Sequence, residues 1–400
     1  MSTPNVNRRN FLRNTALSAL PFLLSYCKNP EVEPADMGEI SSIKRQLPVN
    51  FIFDGLALSA EDYLNLLQKI SSKQGIQRDS YAQGGVVKAL EEKFATITGK
   101  EKAIFLPTGI MANQLALKFL NGHKAKVMVA ENAHIFRDEG DAAQSIHHKR
   151  LVPVGKGKPF FELNDLKEAI KYINRNEIFK SGIGTVALET PVRRADSTTI
   201  PLQTVKAISA YCKQEGYKMH LDGARLHLAS AYTQVPLLEY CAHFDTVYMS
   251  LYKYLHATGG AVLCGEAELI DQLTHQRKIL GGTVYQNWSH AAVALHFLES
   301  IEERWQQVIK ATNQLIAVLN EQEGVQVNAL PQGTNIYHMK LNATINPTTL
   351  VNYLHNEYNM LLGGANAGGF VKFVVNESLL TRDIEAIITA WKIALQKARV

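Results

Sequence analysis

Cysteine is scarce in this 400-residue chain, and no two of Cys27, Cys212, Cys241 and Cys264 stand at metal-ligand spacing. That excludes a disulfide framework or a zinc module as the organising device. The last three sit in apolar surroundings and read as buried, inert thiols. Long apolar runs are also lacking, since none reaches the roughly 20 residues of a mature membrane span. No Gly-x-Ser-x-Gly elbow is present, which argues against a serine hydrolase. The adjacent pair His147-His148 would point to opposite faces of a strand, so no metal site is expected. Strong charge of one sign is missing too. The net charge is +5, and Arg8, Arg9 and Arg13 supply three of it within a leader that holds no acid. A body of about +2 carries no nucleic-acid footprint. With 46% hydrophobic and 20% charged residues, the composition is that of an ordinary globular chain.

The leader has its own logic. Asn7-Arg8-Arg9-Asn10-Phe11-Leu12-Arg13 precedes an apolar stretch, Ala16 to Ser25, that runs to Cys27. This is the basic-then-apolar pattern of a signal peptide over residues 1–27. The paired arginines followed by Phe-Leu resemble a twin-arginine export signal, and Leu24-Ser25-Tyr26-Cys27 resembles a lipoprotein box. The expectation is an exported protein, periplasmic or lipid-anchored, that meets a membrane only through lipidation at Cys27. If the leader is not functional, the protein stays cytoplasmic. Residues 28–50, with Pro30, Pro34, Glu31, Glu33 and Asp36, read as a polar tether.

From Phe51 onward, helical and strand patterns alternate, which predicts an α/β fold with a largely parallel sheet. Expected strands are Ala103–Leu106, Val127–Ala130, Val186–Leu188, Met219–Leu221, Val247–Met249 and Ala261–Cys264. Helical spacing covers Val86–Thr98, a helix opened by Pro107-Thr108-Gly109, Leu163–Ile173 and Leu202–Glu215. One long helical stretch, His290–Asn320, then changes the texture, before short strands at Ile336–Leu341 and Val371–Val375. The division predicted is a large domain over 51–290 and a smaller C-terminal α/β domain over 291–400.

Two segments carry the chemistry. His220-Leu221-Asp222-Gly223-Ala224-Arg225 and Ser250-Leu251-Tyr252-Lys253 each follow an apolar run, placing an acid at one strand end and an amine at the next. A lysine at a buried strand end is costly unless paired or chemically used, although a long stem can also carry its amine to solvent. With Asp222 upstream, the pair suits pyridoxal phosphate: Lys253 forms a Schiff base and Asp222 faces the pyridine nitrogen. Arg225 offers a planar fork to the ring's phenolic oxygen or to a substrate carboxylate. Thr108-Gly109-Ile110 opens a helix whose free N–H groups form a phosphate site. His134, after a strand, is a candidate to stack on the ring or to handle a proton. The residues thus point to an enzyme acting on a small amino acid.

Together these pieces resemble the threonine aldolase and β-eliminating lyase family of fold-type I pyridoxal-phosphate enzymes, in a divergent β-eliminating-lyase-related branch. The matching segments are Leu106 to Gln114, Ala133-His134-Ile135-Phe136, His220 to Arg225, Tyr252-Lys253 and Leu280-Gly281-Gly282, with an early echo at Tyr81 and Leu90 to Lys93. The resemblance implies a large domain built on a mostly parallel sheet of the seven-stranded type. It implies Thr108, Gly109, Ile110, His134, Asp222, Arg225, Ser250 and Lys253 as the cofactor set, with Lys253, His134, Asp222 and Arg225 catalytic. Tyr81, Arg225 and Lys372 are implied as substrate-binding. It also implies a homodimer or homotetramer with active sites at the subunit interface. Several positions depart from the family pattern. Tyr252 and Tyr254 flank the lysine where Ser and Gly are usual, and Glu189-Thr190-Pro191 replaces Glu-Asn-Thr. Gly282-Thr283-Val284-Tyr285-Gln286 lacks an arginine expected to bind phosphate, and Lys372 stands where an arginine is expected.

The reaction expected from this resemblance is cleavage of a β-hydroxy-amino acid to glycine and an aldehyde through an external aldimine. The alternatives are β-elimination, racemisation or transamination on the same scaffold, because one carbanion serves all of them. A non-catalytic, exported binding protein of the same fold is a remoter alternative.

Overall fold

The computed structural model describes residues 47–366 and 368–400. The leader, Cys27 and most of the expected tether therefore lie outside the described residues. Twelve strands are formed among the described residues: β1 (Val49–Asn50), β2 (Lys102–Leu106), β3 (Lys126–Ala130), β4 (Arg150–Val154), β5 (Ile183–Glu189), β6 (Lys218–Asp222), β7 (Thr246–Ser250), β8 (Ala261–Gly265), β9 (Val325–Ala329), β10 (Ile336–Leu341), β11 (Met360–Leu361) and β12 (Phe370–Val374).

Seven of them make the main sheet, in the order β2-β8-β7-β6-β5-β3-β4. β3 to β7 pair with one another in parallel, while β8 is antiparallel to both β2 and β7. β3, β5 and β7 are buried along their whole length, as a parallel sheet covered on both faces requires. Helices such as Gly109–Asn121 and Leu202–Glu215 supply that cover. All six strands expected in this region are present. β4 was not foreseen, because Arg150-Leu151-Val152-Pro153-Val154 contains a proline. Pro153 is tolerated there because β4 is an edge strand.

A second core lies under the antiparallel sheet β12-β10-β9. Val49 and Phe51 belong to it, and β1 pairs in parallel with β11. The polar tether expected through residue 50 therefore gives way to structure earlier, since Val49 and Asn50 are buried strand residues. The long helical stretch expected over His290–Asn320 is built of two helices, Trp288–Leu298 and Ile301–Asn320. The break falls at Glu299-Ser300, where the Arg304 guanidinium donates to the Phe297 carbonyl and to Ser300 Oγ. Satisfying the carbonyl ends of the first helix by a side chain lets the second start in a new direction.

Candidate active site

Parallel strands release their side chains at their carboxyl ends, and the expected residues gather there. β6 ends on Asp222, and the adjacent β7 ends on Ser250, three residues before Lys253. Asp222 is buried and its oxygens are held from two sides. Oδ1 accepts from the Ala224 amide at 3.2 Å and Oδ2 from Asn113 Nδ2 at 3.0 Å. Asn113, on the first turns of Gly109–Asn121, also donates to Glu139 Oε1 at 2.7 Å. Its Oδ1 accepts from His220 Nε2 at 3.0 Å, and the other ring nitrogen of His220 meets Thr246 Oγ1 at 2.8 Å. Burial pushes His220 down to about 4, so it is a neutral bridge.

His134 opens the short helix His134–Arg137 directly after β3. Its amide donates to Glu189 Oε2 at 2.7 Å and its Nδ1 meets Glu139 Oε1 at 3.0 Å. Burial alone would lower its pKa, but the Glu139 contact and the charges of Asp222 and Glu189 outweigh that and raise it. Burial also raises Glu139 and Glu189, reinforced in both by the Asp222 charge. His134, Glu139 and Asp222 bring ligand-type atoms within 4.8 Å of one another, a cluster not anticipated from the sequence. Asn113 already ties its two carboxylates together.

Lys253 is 8% exposed. Burial, then the neighbouring Arg225 charge, brings its amine down to about 8, despite the opposing pull of Asp222, Asp54 and Glu189. Arg225 is buried and clamped by Asp54. Nε lies 3.1 and 3.2 Å from the two carboxylate oxygens and Nη2 lies 2.5 Å from Oδ2, so the clamp does not use Nη1. Thr108 caps the helix Gly109–Asn121, its Oγ1 accepting from the Met111 amide at 3.2 Å. A side chain at Gly109 would place its Cβ 2.0 Å from Tyr248 Oη, so only glycine fits.

These residues fit pyridoxal phosphate by donor chemistry alone: an amine poised near neutrality, a fixed buried carboxylate on the next strand, and a helix N-terminus for the phosphate. Two expected residues stand apart from this network. Tyr81 is 52% exposed and packs edge-on against Tyr285, with ring centroids 5.2 Å apart. Lys372 pairs with Asp196, whose other oxygen meets His338 Nε2 at 2.9 Å. Sequence reasoning missed Asp54 and Glu139 altogether, and assigned no role to Asn113. The cue for Asp54 was a lone acid before Gly55, after the apolar run Phe51-Ile52-Phe53.

Sheet order and site together define a fold-type I pyridoxal-phosphate enzyme. The Beta-eliminating lyase family model matches residues 69–342, and the chain belongs to that family. It is 28% identical over 287 residues to a low-specificity L-threonine aldolase of Candida albicans, covering 71% of this chain and 75% of that protein. A solved structure from Listeria monocytogenes, described as a candidate L-allo-threonine aldolase, superposes with a TM-score of 0.73 at 21% identity, covering 88% of this chain and 97% of the other. A serine palmitoyltransferase of S. paucimobilis, solved with a pyridoxal-phosphate adduct, matches with a TM-score of 0.64 at 14% identity, over 97% of this chain and 98% of the other.

Proposed function

We propose that the protein is a pyridoxal-phosphate-dependent lyase of the threonine-aldolase type, releasing glycine and an aldehyde from a β-hydroxy-amino acid. The observation that carries this reading is the buried Lys253 amine within the electrostatic reach of Asp222, with His134 bonded to both Glu139 and Glu189. Bound pyridoxal phosphate supplies the electron sink for the carbon left negative when Cα–Cβ breaks.

The chain's own residues do the rest. Lys253, largely desolvated, provides the nitrogen that tethers the cofactor. Asp222, fixed by Asn113 and the Ala224 amide, holds the proton on the ring nitrogen. Thr108, Gly109 and Ile110 offer helix N-terminal amides to the phosphate, and Ser250 lines the same strand end. Arg225 turns its remaining nitrogen toward the substrate carboxylate. His134, with Nδ1–H directed at Glu139, keeps Nε2 as the base for the β-hydroxyl proton. The test is a panel of amino acids with the purified holoenzyme. Glycine and aldehyde released from threonine or phenylserine are the expected products. A cofactor-loaded protein inert to both overturns the reading, and ammonia and pyruvate from serine or cysteine would replace it by β-elimination.

The exposed apolar side chains Tyr81, Ile110, Tyr252, Val284 and Tyr285 support self-association as a homodimer or homotetramer, which light scattering tests. The twin-arginine-like leader supports export of the folded enzyme, with anchoring at Cys27. Cell fractionation of the wild type and of an Arg8→Lys, Arg9→Lys variant tests this.

A further inference from the structure

We propose that Tyr254 is a positioning residue of the amino-acid site: its phenol, set between Asn335 and Asp54, fixes the carboxylate that orients Arg225. The proposal rests on reading Arg225 as the substrate-carboxylate ligand.

Tyr254 follows the cofactor lysine directly and is 4% exposed. Its hydroxyl donates to Asp54 Oδ1 at 2.6 Å and accepts from Asn335 Nδ2 at 2.9 Å. Asn335 is itself buried and anchored, donating to the Val375 carbonyl at 2.7 Å just before β10. The ring stands edge-on to the buried Trp305, centroids 5.0 Å apart. One phenol thus joins the lysine loop, the segment after β1 and the start of β10.

The physical need is specific. An aspartate carboxylate turns freely about its last bond, since that torsion has no sharp staggered wells. Held only by Arg225, the pair could swing as a unit. A third bond to Oδ1 from a rigid, buried phenol stops that rotation, so the guanidinium is presented in one orientation before substrate arrives. Pre-organisation of this kind improves binding without adding a contact to the ligand. It also gives a reason for tyrosine at a position where the family usually has glycine.

Tyr254→Phe keeps the ring and its packing on Trp305 and removes only the hydroxyl. Calorimetric titration of the full-length holoenzyme with glycine and L-threonine is expected to give Kd values about tenfold weaker, the scale of one bond to a charged group. KM should rise in step, with kcat within about threefold and with the apoprotein's affinity for pyridoxal phosphate nearly unchanged. On an Asp54→Asn background the same substitution should add under about twofold, because both act through one path. Asn335→Ala, which frees the other side of the phenol, is read in the same way should Tyr254→Phe fail to fold. Unchanged glycine affinity overturns the proposal, as does an equal loss of cofactor affinity or full additivity with Asp54→Asn. A wild type that binds glycine but cleaves nothing removes the lyase reading alone, and the proposal then stands on the glycine titration. A wild type that binds no amino acid overturns both.

Discussion

Glu189 and Asp222 are register partners on adjacent parallel strands, so two carboxylates stand side by side at the carboxyl ends of β5 and β6. Burial and the Asp222 charge hold the Glu189 proton on well beyond the ordinary carboxylate range. Glu189 still accepts two amides, from His134 and Arg193, and so fixes the entry to the His134 helix. Asp222 is the carboxylate that the proposed function assigns to the cofactor ring.

Asp222→Asn separates these roles. The variant keeps Lys253 and should still take up pyridoxal phosphate, but with no carboxylate to hold the ring proton. A loss of roughly 10²–10³-fold in kcat is expected, typical of removing a pre-organised electrostatic partner. Steady-state kinetics alongside the bound-cofactor absorbance check this, and full activity would count against the assignment.

Lys253 makes a pH prediction. Its amine must be neutral to attack an aldehyde, and burial lowers it to about 8. The rate of cofactor uptake by the apoprotein should rise with pH through a midpoint near that value. An ordinary lysine would be under about 1% neutral there. Stopped-flow absorbance across pH 6 to 10 reads the midpoint directly. Lys253→Ala should lose the visible band at every pH.

Gly109 makes a steric one. An alanine Cβ would meet Tyr248 Oη at 2.0 Å, which forces the helix start to move. Gly109→Ala should weaken pyridoxal phosphate binding at least tenfold, about 1.4 kcal/mol. Gly109→Ala combined with Tyr248→Phe should recover part of the loss, as measured by fluorescence titration.

Asp54 governs stability on the acid side. Burial would raise its carboxyl, but the Arg225 charge and hydrogen bonds, with Tyr254, hold it below its usual value. A depressed carboxylate stabilises fully above the unfolded value near 4 and loses that contribution as pH falls through the lower folded value. Asp54→Asn should cost about 1.5–3 kcal/mol at pH 7, nearer the lower end because the aspartate is partly exposed. Its acid limb should be flatter than the wild type's in urea melts at pH 3 to 7.

The buried lysine after β7, the aspartate that ends β6, the helix opening at Gly109 and the central strands were legible in the amino-acid order. Each is a local pattern: an apolar run that must be buried, followed by a residue that burial makes chemically conspicuous. Patterns of that kind survive without knowing what lies across the sheet. The pairing of Asp54 with Arg225, the bridging by Asn113 and the bond from Tyr254 were decided by tertiary structure alone. They join positions far apart in the chain, and a lone polar residue reveals a partner only once strand order and register bring the two within hydrogen-bond reach. Lys372 illustrates the same limit from the other side: its identity was readable, but its engagement with Asp196 was not.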